Sequence, residues 1–207
     1  MRKTNFLLAL AALLLLTSCK KNETNSENYQ LVAGASVAKW KGFLRTGYFN
    51  EGSLNVESEN IRMSGDLVKS GTFVMPLSSI ENFNLPTEAL KEQLIHHLQS
   101  ADFFNMVLHP NLSFTIENVK YHSDNDPESI ADANFFVSGQ LTMLGKSLPV
   151  SFPARIEKNG NQLHIAAKLK VDRTKWGMNY AADPALPDDQ YILPEIEIEL
   201  DLTAERN

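Results

Sequence analysis

The sequence predicts a mainly β domain, an antiparallel barrel of about eight strands with one amphipathic helix capping or flanking it. Three observations predict it. Apolar and polar residues alternate with period two through most of the chain. Short glycine-bearing turns separate many of the alternating runs. One segment, over residues 87–100, switches to an apolar repeat of four.

Residues 1–18 stand apart from the barrel. Arg2 and Lys3 precede an apolar run over 6–16 that is too short for a permanent membrane span. Thr17 and Ser18 then lead to Cys19, the only cysteine of the chain. This pattern predicts an export signal over 1–18. The stretch Leu16-Thr17-Ser18-Cys19 resembles a lipobox, where bacterial lipoproteins are cut and acylated on the new N-terminal cysteine. The resemblance implies lipid attachment at Cys19 and a body outside the cytoplasm. It also accounts for an unpaired cysteine in an exported chain, where cysteines usually pair. Several acyl chains on one residue anchor stably, whereas one chain is marginal. The expected location is the cell envelope, in the periplasm, with the lipid in the outer membrane. Residues 20–28 carry no apolar side chain, so 19–28 reads as a flexible polar tether and 29–207 as the barrel domain.

Strands are predicted over 36–40, 52–56, 61–69 and 71–75 by alternation. The helix follows. Thr87, behind Pro86, is its candidate N-cap, and Leu90, Leu94 and Leu98, with Ile95 beside them, make one apolar stripe that stops near Ser100. Further strands are predicted over 112–119, 135–142, 147–156, 163–171 and 195–202. The last is the clearest: Glu195, Glu197, Glu199 and Asp201 alternate with Ile196, Ile198, Leu200 and Leu202, giving a wet face and a buried one. Residues 69–71, 144–146 and 159–161 read as hairpin turns. The polar, proline-bearing stretches 124–133 and 181–190 read as surface loops.

Charge narrows the function. Loss of Arg2 and Lys3 with the signal takes the formal net charge from −6 to about −8. That excludes nucleic acid as a partner, which needs basic stripes, and it leaves membrane attachment to the lipid alone. A metal site is not predicted. His96 and His97 are adjacent on a helix and diverge by about 100°. His109, His122 and His164 have no ligand partner at a useful spacing, and there is no His-Glu-x-x-His. Catalysis is not predicted either. There is no Gly-x-Ser-x-Gly and no glycine-rich phosphate loop, and the strand acids alternate as a solvated face.

Apolar inward faces leave two outcomes, a dry packed core or an apolar guest. Phe103, Phe104, Met106, Phe114, Phe135, Phe136 and Met143 either line a tunnel for a flexible tail or fill a core. Arg173 and Trp176 either grip a quinone or phosphate headgroup at the barrel mouth, by bidentate bonds and stacking, or are architectural. In the architectural case Asp172 pairs Arg173 while Trp176 and Gly177 turn the chain. The candidate ligand-binding set is Trp40, Phe103, Phe104, Phe114, Phe136, Met143, Arg173 and Trp176.

Five segments carry a family resemblance. Over 169–180, Asp172, Arg173, Thr174, Trp176 and Gly177 match an Asp-Arg-Thr-x-Trp-Gly segment. Over 98–114 there is a leucine, then Asp102-Phe103-Phe104, then Pro110 ahead of Ser113-Phe114. Over 137–150, Gly139, Leu141, Thr142, Gly145, Pro149 and Val150 form a hairpin pattern. Residues 74–80 and 36–40 fit as well. In this order, the chain resembles the YceI-like family, exported bacterial proteins with a lipocalin-like barrel associated with binding long polyisoprenoid chains. The resemblance implies a non-catalytic protein that holds a polyisoprenoid or similar amphiphilic lipid in an apolar lumen. It requires no cofactor beyond a bound isoprenoid quinone or polyprenyl lipid, and it suggests a homodimer. One departure stands out: the turn over 46–52 lacks the family's His-x-Gly, which puts headgroup preference in doubt. The competing expectation is a packed-barrel scaffold lipoprotein with no ligand in its lumen. An apolar cavity separates the two.

Overall fold

The structure is a computed structural model and describes residues 26–58, 60–123 and 127–207. The export signal, Cys19 and the start of the tether lie outside the described residues. Among the described residues twelve antiparallel strands form one sheet. In chain order they are β1 (Ser26–Leu31), β2 (Val37–Leu44), β3 (Phe49–Asn55), β4 (Ile61–Ser64), β5 (Leu67–Ser70), β6 (Thr72–Pro76), β7 (Glu81–Asn82), β8 (Asn111–Tyr121), β9 (Phe135–Met143), β10 (Lys146–Asn159), β11 (Gln162–Asp172) and β12 (Ile192–Arg206). One helix, α1 (Glu88–Gln99), and two short 3-10 turns, Leu77–Ser79 and Arg173–Trp176, complete the elements.

Eight of these strands make the ring, in the order β2-β3-β6-β8-β9-β10-β11-β12 and back to β2. Closure between β3 and β6 is a single antiparallel bridge. The Glu57 N–H donates to the Val74 carbonyl and the Val74 N–H to the Glu57 carbonyl, each at 2.8 Å. The barrel is therefore nearly closed. The other four strands extend it, with β1, β4 and β5 joined to the far end of β12 and β7 to β3. The sequence reading of about eight strands captures the ring and misses the extensions.

Two differences from the sequence reading have simple causes. The stretch 61–69 is two strands, because Gly65 adopts φ +62 and turns the chain between β4 and β5. Residues 26–28, expected in the tether, already belong to β1. They gain order from backbone pairing to β4 and from charge, since they have little to bury. The Glu27 carboxylate takes Arg206 Nη1 at 3.0 Å, the Tyr29 hydroxyl at 3.1 Å and the Lys158 ammonium.

Prolines within strands sit where no partner needs their N–H. Pro149 and Pro153 fall in the part of β10 that pairs only with β9, ahead of the β10–β11 ladder that begins at Ala154. Pro194 lies in the register shift between Ile192 and Ile196 of β12.

The lumen is filled unevenly. Toward the β1 end, Phe73, Phe114, Phe135, Phe152, Ile156 and Leu163 pack against one another with the side chains of β1 and β4. Gly139 makes this packing possible. The Phe114 ring lies over it, with the Phe152 ring 5.5 Å away. A Cβ at 139 would stand 2.2 Å from the Thr115 carbonyl oxygen and 2.7 Å from Phe114 Cζ. Gly139→Ala should therefore cost about 1–3 kcal/mol of stability, read from the denaturation midpoint. Gly42→Ala, where a Cβ would meet nothing within 4 Å, should stay within about 0.5 kcal/mol.

The Glu27 cluster gives a pH prediction. Its bond to Lys158, helped by Tyr29 and Arg206, holds its carboxyl below the ordinary value while burial opposes the shift. A carboxyl lowered in the folded state stabilises it above the unfolded pKa and loses that contribution as pH falls through the folded pKa. Amide protection over 26–31, taken relative to the intrinsic exchange rate at each pH, should therefore fall on acidification below the ordinary carboxylate range. Glu27→Gln should show the lowered protection already at neutral pH, with no further acid step.

A cavity in the capped end of the barrel

The end opposite β1 is covered by α1 and the turn that follows it. Thr87 caps α1, its hydroxyl accepting from the Leu90 N–H at 3.3 Å. Leu98 is buried and Leu94 and Ile95 are partly buried, whereas Leu90 is exposed. The stripe thus meets the barrel only through its C-terminal half. Gln99 Nε2 donates to the Leu77 carbonyl at 3.0 Å and ties the helix end to the β6–β7 connection. The Phe104 N–H donates back to the Leu98 carbonyl at 3.0 Å, which folds the next turn inward. Rings of His97, Phe103 and Tyr180 then pack at centroid distances of 4.8–5.1 Å. They join the helix, its following turn and the 177–191 segment. Arg45 pins that segment from the other side, donating to the carbonyl of Pro184 and the carboxylate of Asp188 and stacking on Tyr191 at 3.9 Å.

Beneath this cover lies a cavity of about 220 Å³. Leu94, Leu98, Phe103 and Phe104 form its roof, and Leu54, Met75, Leu112, Leu141, Met143, Ile196 and Ile198 its walls. Its volume exceeds the roughly 150 Å³ that admits benzene into a protein core. It falls below the roughly 300–1,000 Å³ of pockets that enclose drug-sized ligands. It therefore has room for a head or a short stretch of chain. Tyr48, half exposed, stands at its edge.

Arg173 closes one side of the cavity and is 1 % exposed. Its guanidinium donates from Nη1 to the Met178 carbonyl at 2.6 Å, from Nη2 to Ile192 at 3.0 Å and from Nε to Leu193 at 3.3 Å. Burial pushes its pKa down, and the charges of Tyr191 and Asp172 oppose that shift. Asp172 does not hydrogen-bond it. Its Oδ1 accepts from the Thr174 N–H at 3.0 Å and the Thr174 hydroxyl at 2.6 Å, capping the second 3-10 turn. Gly177, at φ +97, ends that turn. Trp176 is buried, and its indole donates to the Leu141 carbonyl at 3.0 Å. Arg173 and Trp176 thus both do architectural work, Arg173 with backbone carbonyls in place of the Asp172 carboxylate.

The structure gathers five of the eight candidate residues at the cavity: Trp40, Phe103, Phe104, Met143 and Arg173. Three stand elsewhere. Phe114 fills the packed half. Trp176 lies behind the wall, its N–H committed to β9. Phe136 is on the outer face, with Lys120 over its ring at 5.2 Å and His122 at 5.9 Å. The reason is the strand period: Phe135 points inward, so its neighbour points out. Sequence reasoning missed Asn50, which lines the cavity from β3, because that strand starts ahead of the expected residue 52.

Outside the barrel, a cleft of about 770 Å³ runs over β2, β12 and β11. Lysines and glutamates alternate across it. Glu199 lies 3.6 Å from Lys39 and 3.7 Å from Lys168, and Glu197 lies 3.8 Å from Lys170. The cross-strand register sets this ladder, which is balanced in charge. Among the described residues no group of three or more His, Cys, Asp or Glu is placed to hold a metal ion.

Solved structures share this architecture. Burkholderia cenocepacia BcnA is 15 % identical, with a TM-score of 0.62, over 81 % of this chain and 95 % of its own. A polyisoprenoid-binding domain from Saccharophagus degradans, implicated in plant cell wall breakdown, is 12 % identical, with a TM-score of 0.61, over 87 % of this chain and 99 % of its own. A Campylobacter jejuni YCEI protein variant with a monobromobimane guest is 15 % identical, with a TM-score of 0.51, over 100 % of this chain and 94 % of its own. At these identities the likeness establishes the fold. No curated protein sequence matches the chain significantly. The family model for the YceI-like domain matches residues 29–204, and the chain belongs to that family.

Proposed function

We propose that the barrel is a non-catalytic carrier that holds an isoprenoid amphiphile, a quinone or a polyprenyl lipid, with part of the molecule in the capped cavity. The observation that carries this reading is the cavity itself. A barrel serving only as a packed scaffold has no reason to leave about 220 Å³ open under an amphipathic helix. The apolar walls favour a hydrocarbon guest, at roughly 0.8 kcal/mol per buried methylene. The polar side chains of the lining are few: Lys39, which pairs with Glu199, Trp40, Tyr48 at the edge, Asn50, and Arg173, which is spent on backbone carbonyls. The polyisoprenoid-binding domain of similar fold supports the ligand class. A carrier for a lipid gains from being held in the envelope, close to where the lipid partitions. Acylation of Cys19 and export to the periplasm supply that in this reading.

Two experiments test it. Organic extracts of the full chain, purified from a bacterial host, should yield an isoprenoid near one molecule per chain by mass spectrometry. Met143→Trp, which fills the cavity, should deplete that isoprenoid at least fivefold and leave bulk phospholipid unchanged. Equal recovery from both proteins would sink the carrier reading. Separately, Cys19→Ser should move the chain from the membrane fraction to the soluble periplasmic fraction. If the Cys19→Ser variant still sediments with membranes, the lipid anchor drops out of the account.

A further inference from the structure

Two of the buried polar atoms that have no hydrogen-bond partner among the described residues are the Trp40 indole Nε1 and the Asn50 Oδ1. Both residues line the capped cavity, and Trp40 reaches the outer cleft as well. They stand on one face of the β2–β3 ladder, with Trp40 opposite Gly52, Asn50 opposite Gly42 and the Lys41–Glu51 pair between. The two glycines do different things. A Cβ at Gly52 would stand 1.7 Å from the Glu81 carbonyl oxygen and 2.8 Å from Trp40 Cζ2, so the β7 backbone and the indole both close over that glycine. A Cβ at Gly42 would meet nothing within 4 Å, so room remains beside Asn50.

The chain's other tryptophan shows what a structural indole does here: Trp176 spends its N–H on the Leu141 carbonyl. Trp40 has no such acceptor among the described residues. A buried polar group without a partner is costly, and two of opposite sense, successive on one face of the ladder, call for a complementary group. The indole only donates, and the amide oxygen only accepts. A hydroxyl satisfies both at once, its oxygen accepting and its hydrogen donating. An ether satisfies only Trp40. A phosphate brings charge between apolar walls, and Arg173, the buried cation at that end, already donates to three carbonyls.

We propose that Trp40 and Asn50 form a hydroxyl-recognition subsite that takes the alcohol or phenol-type head of an isoprenoid amphiphile into the lumen, head first. This rests on the isoprenoid-carrier reading above.

Calorimetric titration of the full chain with farnesol, farnesyl methyl ether and farnesyl phosphate tests it. Farnesol should bind about fivefold tighter than the ether, as expected for one added neutral hydrogen bond, and tighter than the phosphate. Asn50→Leu should abolish the preference for alcohol over ether. Trp40→Phe should weaken both about equally and leave the hydrocarbon farnesene unaffected. Comparing ligands on one protein separates recognition from misfolding, which would lower every affinity together. Binding of none of the probes to the intact chain overturns the carrier reading and the subsite with it. Equal binding of farnesol and its ether, or tighter binding of the phosphate, leaves the carrier standing and overturns the subsite.

Discussion

The volume of the inward-facing side chains governs this barrel. An eight-strand ring encloses a space that side chains can just fill. Here the filling is complete at one end and incomplete at the other. In the packed half, Phe73, Phe114, Phe135 and Phe152 supply rings, and Gly139 gives up its side chain so that Phe114 can lie across the sheet. In the capped half the walls are Leu, Ile and Met, and β2 brings a glycine to the cavity at 42. Smaller walls leave the cavity. The strands, the helix and the closing turns then arrange themselves around a space that is open at one end only.

That open end needs a device to keep its shape, and a buried cation supplies it. A packed core keeps its shape by contact, but an unfilled one cannot. Arg173 grips three carbonyls, one from Met178 and two from the start of β12, and so holds the chain after β11 against the strand it must rejoin. Its planar fork suits this, where a lysine would meet one carbonyl at a time. Trp176 extends the same clamp across to β9 through the Leu141 carbonyl. The pair thus spans the region where β10 and β11 do not pair, ahead of Ala154 and beyond Ala167. In this light the Asp172-Arg173-Thr174-x-Trp176-Gly177 run is a closure motif, with Arg173 and Trp176 donating to backbone carbonyls and the Thr174 hydroxyl to Asp172.

How much of this could be read from the chain follows from which signals are local. Alternation places β8 to β12, half of β2 and most of β6, because each has one wet and one buried face. The helix was legible from Thr87 and the leucine repeat. β1 was not, because Ser26, Glu27 and Asn28 are ordered by partners distant in sequence, Lys158 and Arg206 among them. The β4–β5 turn was legible and was overlooked: Gly65-Asp66 between alternating runs is a hairpin signal. At the site, Phe103, Phe104 and Met143 are legible by residue type, whereas Phe136 follows the inward Phe135 and the strand period turns it outward. Asn50 gave no signal of its own. An asparagine beside a turn is ordinary, and only the register that sets it opposite Gly42 turns it into a lumen residue.

The size of the cavity constrains how a long ligand can be held. About 220 Å³ cannot enclose a chain of many isoprene units, and the packed half offers it no continuation. Most of such a chain must therefore leave through the capped end or displace the cap. The cap is suited to moving. Only the C-terminal half of α1 meets the barrel, through Leu94, Ile95 and Leu98, and the turn beyond it is held by backbone bonds and one ring cluster. Around this end Leu90, Val107, Leu108 and Tyr180 expose apolar surface, Val107 at 89 %. A head seated at Trp40 and Asn50 would leave its tail directed to that apolar rim. The polar contacts would then select the molecule, while the amount of tail covered by the cap would set how tightly it is kept.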